Sequence, residues 1–304
     1  MIQKIVDTLY RNPRSNWNLW QRFGGYFEYQ KMLSAQKDMA IAAAKLFVFN
    51  ENNFLKELDV CFLTGKKFWY QTLFCAYSLQ KVIPNPIHFT FYDDGTLDQV
   101  ANIKGQIPNS TVIYTSEIES RLSSYLPLEK YPYLHHKRIV YKHIRKLTDV
   151  YVGTRGWRLM LDSDMLFTHT PTEIVDWLSN PTMPIYMQEE ESAYGFPKDY
   201  MEGLSNSTIP DCINVGCLGL NDRLIDWDKL EYWAKNLEET FGTCYYLEQA
   251  LSAMIIGNND SLRLDRDRYV VYPKASLIYD NANLFHYVDL SKAEYFRNAW
   301  KKIV

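Results

Sequence analysis

From residue 59 onward, short apolar runs alternate with segments of helical periodicity, and this alternation constrains the fold more than any other feature of the sequence. Runs such as DVCFLTG and IHFTFYDDG end in glycine or acids, which is typical of buried strands. FWYQTLFCAYSLQ and LDQVANIKGQI follow them and have the apolar spacing of helices. Strands and helices in alternation form β-α-β units, so the sequence predicts an α/β domain with a mixed, mainly parallel sheet flanked by helices.

The alternation continues toward the C-terminus. Further strands are predicted at STVIYTS, WRLMLDSD, PIYMQEEE and INVGCLGL, and further helices at HKRIVYKHIRKLTDVYV, PTEIVDWLS, DKLEYWAKNLEETF and YLEQALSAMIIG. The carboxyl ends of parallel strands meet at one edge of a sheet, where ligands bind. Polar residues at four strand ends are therefore expected to share that edge: Thr64–Gly65, Tyr92–Asp94, Asp162–Asp164 and Glu189–Glu191.

Residues 1–58 precede this alternation and are predicted to form a helical N-terminal extension to a catalytic domain that spans residues 59–304. Four apolar residues near the start have helical spacing: Ile2, Ile5, Val6 and Leu9. Gly24–Gly25 interrupts the aromatic segment that follows, and residues 1–38 carry six basic against three acidic side chains. The extension is expected to dock on the domain or on a second copy in a homodimer, with peripheral contact to a membrane surface as the alternative.

Charge and cysteine usage exclude some classes of protein. A net charge of −3 over 304 residues leaves no basic excess for binding nucleic acid. The five cysteines are scattered without a Cys-x-x-Cys pair, and no secretory signal peptide is recognised, so reduced thiols and a cytoplasmic location are expected. No apolar run approaches the roughly 18 residues of a membrane-spanning helix.

Two acids one residue apart interrupt an apolar stretch in the middle of the chain. Asp162 and Asp164 follow Leu159–Leu161 and precede Met165–Phe167. Carboxylates are rarely buried unless they are paired or bind a metal. Alternate residues of a strand point to opposite faces, so the chain must turn at Ser163 for both carboxylates to reach one site. A divalent cation held there would reverse the charge that a nucleoside diphosphate meets, and oxygen ligands of this kind suit Mn²⁺ or Mg²⁺.

Four segments together resemble a known family. LDSDMLF resembles the Asp-x-Asp motif of nucleotide-sugar glycosyltransferases with the GT-A fold. INVGCLGL, YLEQALSAM and LFHYVD resemble, in the same order, the Asn-x-Gly strand, the Asp-Gln-Asp helix and the histidine-bearing C-terminal segment of the family 8-like branch. The likeness covers residues 59–289. It has two departures, since Ala250 stands where the helix motif has its last acid and no Gly-x-x-Lys-Pro-Trp run follows His286.

The resemblance implies a metal-dependent glycosyltransferase. Such an enzyme would move a sugar from a nucleoside-diphosphate sugar to a hydroxyl of a glycan, a lipid-linked or a small-molecule acceptor, with Mn²⁺ or Mg²⁺ as cofactor. The implied metal ligands are Asp162, Asp164 and His286. Glu248 and the neighbouring amide Gln249 would face the anomeric carbon, and the order of the motifs favours retention of its configuration. With inversion instead, Glu190 or Glu248 would deprotonate the acceptor.

The implied donor site draws on the strand ends. Tyr92, Asp93 and Asp94 would hold the base and the ribose by stacking and hydrogen bonds. The other residues predicted to bind the donor are Thr64, Gly65, Asp162, Ser163, Asn214 and Gly216. The cation that binds the diphosphate is left open among Arg138, Lys142, Lys292 and Arg297.

Two other interpretations stay open. An aspartate-based phosphatase also places Asp-x-Asp after a strand and uses the first acid, here Asp162, as its nucleophile. Phosphatases of that type carry the motif on their first strand, whereas here other predicted strands precede it. The second interpretation is a protein of the same fold that binds a nucleotide sugar without turnover, which the missing acid at Ala250 would explain.

Overall fold

The computed structural model describes residues 12–52, 54–277 and 279–304, with side chains from residue 17 onward within these ranges. The helix predicted from the spacing of Ile2, Ile5, Val6 and Leu9 lies outside the described residues. Among the helices that are described, none combines the length and the apolar character needed to cross a bilayer.

The strands of the described chain form two sheets. In chain order they are β1 (Leu58–Thr64), β2 (Ile87–Asp93), β3 (Ser110–Ile113), β4 (Trp157–Leu161), β5 (Met165–Phe167), β6 (Ile185–Gln188), β7 (Ile213–Asn221), β8 (Leu262–Arg263), β9 (Tyr269–Val271) and β10 (Leu284–His286). The larger sheet has seven strands in the order β3-β2-β1-β4-β7-β6-β8, and the smaller has three in the order β5-β10-β9. The strands predicted from apolar runs are confirmed.

Helices connect the strands. In chain order the described α-helices are α1 (Asn12–Arg22), α2 (Tyr26–Ala43), α3 (Trp69–Val82), α4 (Ile103–Gln106), α5 (Thr115–Tyr125), α6 (Pro132–Val140), α7 (Arg145–Tyr151), α8 (Thr172–Ser179), α9 (Lys198–Ser205), α10 (Trp227–Phe241), α11 (Leu247–Ile256) and α12 (Lys292–Arg297). The packing of these helices on the sheet forms two hydrophobic clusters. One includes α2, α3 and α8, and the other includes α7, α10 and α11.

Strand direction determines which residues share an edge of the larger sheet. β1 pairs in parallel with β2 and β4, and β2 with β3, whereas β7 pairs antiparallel with both β4 and β6. β1, β2, β4 and β6 therefore point the same way, so their carboxyl ends meet at one edge together with the amino end of β7. The predicted mixed, mainly parallel sheet is confirmed, and ligands in such folds bind at this edge.

The smaller sheet brings a late segment of the chain to the same edge. The chain leaves β4 at Leu161, turns at Ser163 and Asp164, and enters β5. β10 lies antiparallel to β5, with His286 opposite Met165. The turn predicted at Ser163 is confirmed, and the register of this pair places the end of β10 beside the acidic turn.

Two predicted helices are interrupted. HKRIVYKHIRKLTDVYV was expected as one helix, but α6 ends before Tyr141, which has φ −136° and ψ 84°. This extended backbone lets the Tyr141 hydroxyl donate to the carbonyl of Tyr245 and accept from the amide of Glu248. LDQVANIKGQI divides into a short 3₁₀ turn and α4, because Asn102 between them has a left-handed φ of 63°.

The described part of the N-terminal extension packs on the domain. The buried side chains of α2 belong to the same hydrophobic cluster as β1 and α3, and they are Met32, Ala35, Met39 and Ala43. Arg297 of α12 pairs with Glu28 of α2 at 3.0 Å. Burial of a side chain such as Met39 contributes about 1.5–3 kcal/mol, so α2 stabilises the domain that it covers. A division of the chain at residue 58 stays a prediction.

Candidate functional site

Three potential metal ligands meet at the edge of the larger sheet. Asp162 follows β4, Asp164 lies in the turn before β5, and His286 ends β10. One ligand atom from each lies within 4.8 Å of the others. Nε2 of His286 is 3.6 Å from Oδ2 of Asp162 and 3.3 Å from Oδ1 of Asp164. The structure therefore brings together the three residues that were predicted to bind metal.

Backbone and hydroxyl hydrogen bonds hold the acidic turn. The amide of Asp162 donates to the carbonyl of Gly216 at 2.7 Å, and the amide of Tyr287 donates to the carbonyl of Asp164 at 2.9 Å. The hydroxyl of Ser163 is 2.8 Å from that of Thr72, which is 2.6 Å from that of Thr64. Strand β7, the residue after β10 and helix α3 thus each contribute a contact to this turn, which limits the positions that its two carboxylates can take.

His286 is oriented by Asn214. Nδ2 of Asn214 donates to Glu189 at 2.6 Å, so its Oδ1 is free to accept from Nδ1 of His286 at 3.1 Å and from the amide of Gly216 at 2.9 Å. This contact places a proton on Nδ1, and Nε2 faces the two carboxylates. Nε2 is buried and has no hydrogen-bond partner among the described residues, as expected for a nitrogen positioned to bind a metal.

Two lysines flank the triangle. Nζ of Lys146 is 2.6 Å from Oδ1 of Asp162, and Nζ of Lys292 is 3.0 Å from Oδ2 of Asp164. Each carboxylate thus offers one oxygen to a lysine and the other to the space beside His286. Burial would raise the pKa of Asp164, but His286 and Lys292 hold it well below its usual range. Burial would lower the pKa of Lys146, but Asp162 and Glu248 raise it.

Glu248 lies in the first turn of α11 and is almost completely buried, with 4% of its side chain exposed. Its Oε2 is 3.9 Å from Nζ of Lys146, and its Oε1 has no hydrogen-bond partner among the described residues. Burial raises the pKa of Glu248 to about 7; Lys146 opposes this shift and Asp162 adds to it. A carboxyl group whose pKa lies near neutrality beside a candidate metal site is the kind of group that acts in catalysis.

The cavity at this site has a volume of about 830 Å³, which would suit a small ligand. Its lining includes both lysines, Asp162, His286 and Glu248. Several aromatic residues also line it: Phe23, Tyr141, Tyr245, Tyr246 and Tyr272. The cavity lining therefore combines charged residues with aromatic residues.

Four other predicted site residues line the same cavity. Asn214 and Gly216 lie on β7, and Gln249 donates from Nε2 to the carbonyl of Ala193 at 2.9 Å. Glu190 is 68% exposed and pairs with Lys274 at 2.9 Å. Glu190 therefore lies on the rim, whereas Glu248 lies inside. Of the four cations left open for the diphosphate, Lys292 lines the cavity.

The residues at the strand ends of β1 and β2 lie outside the cavity lining. Thr64, Gly65, Tyr92, Asp93 and Asp94 are not among the described residues that line the cavity. Tyr92 is buried in the hydrophobic cluster that includes Met160 and Leu122.

Asp93 and Asp94 bind their own loop. Oδ1 of Asp93 accepts from the amides of Gly95, Thr96 and Leu97, and Oδ2 accepts from the hydroxyl of Thr115. Burial would raise the pKa of Asp93, but these hydrogen bonds lower it. A Cβ added at Gly65 would lie 2.0 Å from Oδ1 of Asp94, so this glycine permits close packing of the two strand ends. A role for these residues in donor binding stays a prediction.

The sequence did not identify Lys146 as a site residue. It lies on α7, where burial on the sheet leaves 11% of its side chain exposed. The other cations that had been considered are engaged elsewhere or lie outside the lining: Arg138 pairs with Asp149 at 2.6 Å, Arg297 pairs with Glu28, and Lys142 is exposed. The signal in the sequence that could have indicated Lys146 is the cluster of acids, because clustered carboxylates require a cation nearby.

Gly216 permits the contact between β7 and His286. A Cβ added there would lie 2.2 Å from Cε1 and 2.5 Å from Nδ1 of His286, which has no room to move in its buried position. We expect Gly216→Ala to lower the free energy of unfolding by about 1–3 kcal/mol, the usual cost of overpacking. It should also weaken Mn²⁺ binding by at least about tenfold, because the imidazole is displaced.

Denaturant unfolding and calorimetry with Mn²⁺ measure these two effects. The matched control is Gly203→Ala in α9, where an added Cβ meets no atom within 4 Å. That substitution should leave metal binding unchanged and stabilise the helix by up to about 1 kcal/mol. Unchanged metal binding in Gly216→Ala would mean that His286 is not a ligand.

No family model matches this chain, and no curated protein matches it. By structure it is similar to solved glycosyltransferases. The galactosyltransferase LgtC, in complex with donor and acceptor sugar analogues, has a TM-score of 0.51 and 14% identity, covering 81% of this chain and 96% of LgtC. Mouse xyloside xylosyltransferase 1, in its apo form, has a TM-score of 0.50 and 12% identity. This match covers 76% of this chain and 97% of the xylosyltransferase chain.

A third similar structure is the apo form of the bifunctional glycosyltransferase WbbM, with a TM-score of 0.50 and 12% identity. The match covers 85% of this chain and 53% of WbbM. At these levels of identity the likeness concerns the fold. The predicted GT-A fold is confirmed.

Proposed function

We propose that this chain is a metal-dependent glycosyltransferase that moves a sugar from a nucleoside-diphosphate sugar to an acceptor hydroxyl. The observation that carries the proposal is the triangle of Asp162, Asp164 and His286, with a lysine on either side, at a cavity that Asp162 and His286 line at the ligand-binding edge of a GT-A fold. The acceptor belongs to the class of glycans, lipid-linked sugars or small molecules. Contact with a membrane and formation of a homodimer remain predictions.

The residues of the triangle fit a divalent cation. Two carboxylate oxygens and one imidazole nitrogen converge, and the nitrogen is buried without another partner. Oxygen ligands with one imidazole suit Mn²⁺, and Mg²⁺ where waters complete its shell. When bound, the cation would supply positive charge that stabilises the departing nucleoside diphosphate.

Charge balance at the site supports this interpretation. The positive charges of Lys146 and Lys292 match the negative charges of Asp162 and Asp164. A divalent cation bound to them would therefore give this cluster of four side chains a net positive charge, which complements the two or three negative charges of a nucleoside diphosphate. Without a metal, the four side chains would offer no net attraction to that ligand.

The two lysines have different roles in the proposal. Lys292 keeps 33% of its side chain exposed and lines the cavity, so it can donate to a phosphate oxygen while it contacts Asp164. Lys146 is more deeply buried, and its Nζ lies between Asp162 and Glu248. Lys146 thus orients Asp162, one of the proposed metal ligands. Its positive charge also favours the ionised form of Glu248.

Glu248 is the better candidate for the carboxylate that stabilises the reacting sugar. It is buried and has an unpartnered oxygen, whereas Glu190 is mostly exposed and engaged by Lys274. A carboxylate that is buried in the cavity can face the anomeric carbon of the sugar. The side chain of Gln249 beside it is held by a hydrogen bond to the carbonyl of Ala193. This arrangement favours retention, while a base role for Glu190 at the rim would accompany inversion.

Calorimetry with Mn²⁺ and a panel of UDP, GDP and ADP tests the proposal. We expect at least one nucleotide to bind with Mn²⁺ present and to bind far more weakly when EDTA removes the metal. Release of free sugar from the matching nucleotide sugar then separates an enzyme from a protein that binds without turnover. Hydrolysis of p-nitrophenyl phosphate without any nucleotide binding would favour the phosphatase interpretation instead.

A further inference from the structure

The N-terminal helix α1 reaches the candidate site. Leu19 and Arg22 of α1, and Phe23 just after it, line the same cavity as Glu248 and His286. They precede β1 and lie outside the segment that resembles glycosyltransferases. The wall that they form is therefore a feature of this chain and not of the shared motifs.

Specific contacts hold α1 over the cavity. A terminal nitrogen of Arg22 donates to both oxygens of Asp289, at 2.7 and 2.6 Å. Asp289 has a left-handed φ of 47° and lies between β10 and α12, so the ion pair joins α1 to the segment that follows the metal site. Gly24 and Gly25 have φ of 87° and 103°, a conformation that glycine adopts readily, and they turn the chain between α1 and the anchored helix α2.

The cavity lining combines residues of two kinds. The metal triangle and both lysines provide the charges that a diphosphate requires. The lining also includes the apolar side chains of Leu19, Phe23 and Val288, and the cation that α1 adds, Arg22, is paired with Asp289. Leu19, Phe23 and Val288 have no group that could hold a phosphate, so they suit the substrate that lacks one.

We infer that α1 forms the wall of an acceptor subsite for a sugar. This inference rests on the proposed function, since it assigns the second substrate of the same reaction. The C–H face of a sugar ring would pack on Leu19 and Phe23, as rings do on apolar and aromatic surfaces. Its hydroxyls would bond to Arg22 and Asp289, whose side chains remain 53% and 50% exposed while they pair with each other.

Saturation-transfer NMR tests this with a panel of methyl glycosides of glucose, galactose, mannose, xylose and N-acetylglucosamine, added to protein that contains Mg²⁺ and UDP. We expect at least one glycoside to bind the wild-type chain. The double variant Leu19→Ala, Phe23→Ala should weaken that binding by about tenfold, because two half-buried side chains lose their contacts with the sugar ring. Arg22→Met, which keeps the apolar length of the side chain, should weaken it by about fivefold.

Gln21→Ala is the matched control, because Gln21 is an exposed residue of the same helix and does not line the cavity. It should bind the glycoside as the wild type does. All variants should bind Mg²⁺ and UDP within about twofold of the wild type, which shows that the donor site is intact. Circular dichroism confirms that each variant is folded.

Two results would contradict the inference that α1 forms the wall of an acceptor subsite. One is that no glycoside of the panel binds the wild-type chain, and the other is that the double variant and Arg22→Met bind it as tightly as the wild type. A fall in UDP affinity that parallels the loss of glycoside would instead assign α1 to the donor site, which also contradicts the inference. Failure of UDP, GDP and ADP alike to bind the wild-type chain is a separate outcome that contradicts the proposed function, while glycoside binding to that chain still tests the inference about α1.

Discussion

Asp164→Asn is expected to abolish the metal-dependent binding of a nucleoside diphosphate. Asp164 contributes one oxygen to the triangle and the other to Lys292, so its loss removes a metal ligand and leaves Lys292 without its partner. A neutral amide is a poor ligand for Mn²⁺, and a site with three protein ligands has little to replace it. We expect the affinity for Mn²⁺ and UDP together to fall by at least about a hundredfold.

Calorimetry with Mn²⁺ alone, and then with Mn²⁺ and UDP, measures this effect. Asp176→Asn is the matched control, because Asp176 is an exposed acid on α8, away from the cavity. The control should bind as the wild type does. Wild-type affinity for both ligands in Asp164→Asn would remove Asp164 from the site and with it the central observation behind the proposed function.

Glu248→Gln is expected to preserve binding of the nucleotide sugar and to remove most of its turnover. The buried carboxylate stabilises positive charge that develops on the sugar mainly in the transition state, so its loss lowers kcat more than it raises KM. We expect kcat to fall by about a hundredfold or more, the usual scale for a positioned carboxylate. Steady-state kinetics with the nucleotide sugar identified by the binding panel measures both constants.

Glu190→Gln provides the comparison, because Glu190 lies on the rim of the same cavity and is paired with Lys274. Turnover in Glu190→Gln should stay within a few-fold of the wild type. Near-normal turnover in Glu248→Gln together with a collapse in Glu190→Gln would reverse the assignment. That result would favour an inverting mechanism in which Glu190 acts as the base.

The same carboxyl group should make stability depend on pH. Burial raises the pKa of Glu248 to about 7 from the ordinary 4.5, so between these values the folded chain binds a proton that the unfolded chain releases. The free energy of unfolding should therefore decrease as the pH rises through about 7. Glu248→Gln lacks this titration, and relative to the wild type it should gain up to about 3 kcal/mol between pH 5 and pH 8.

Denaturant unfolding of both proteins without metal or nucleotide checks this difference, because other titrating groups contribute equally to the two. An identical pH dependence in the wild type and in Glu248→Gln would mean that Glu248 is ionised throughout this range. Its role would then be that of a permanent partner to Lys146.

The strands and the acid pair were predictable because their signals are local. Apolar runs such as the one before Asp162 are long enough to define a buried strand, and two carboxylates directly after it need a cation wherever the chain folds. His286 was predicted only by its resemblance to a family motif. The pairing of β10 with β5 that brings it to Asp164 depends on contacts between distant segments, which periodicity does not encode.

Lys146 and Tyr92 show why the rest of the site was not predictable. A lysine on a helix is usually exposed, and nothing near Lys146 in the sequence indicates that its side chain would contact Asp162 and Glu248. Tyr92 and Asp93 end a strand at the edge where ligands bind, as expected. However, Tyr92 packs into a hydrophobic cluster and Asp93 accepts hydrogen bonds from its own loop.

The pairing of β5 with β10 has a consequence for the order of folding. Asp162 and Asp164 leave the ribosome well before His286, so a growing chain carries two ligands long before it carries the third. A divalent ion bound to all three would act as a cross-link that joins β10 to the turn before β5. Metal should therefore protect the segment around β10 from proteases, and its affinity reports whether β10 has docked.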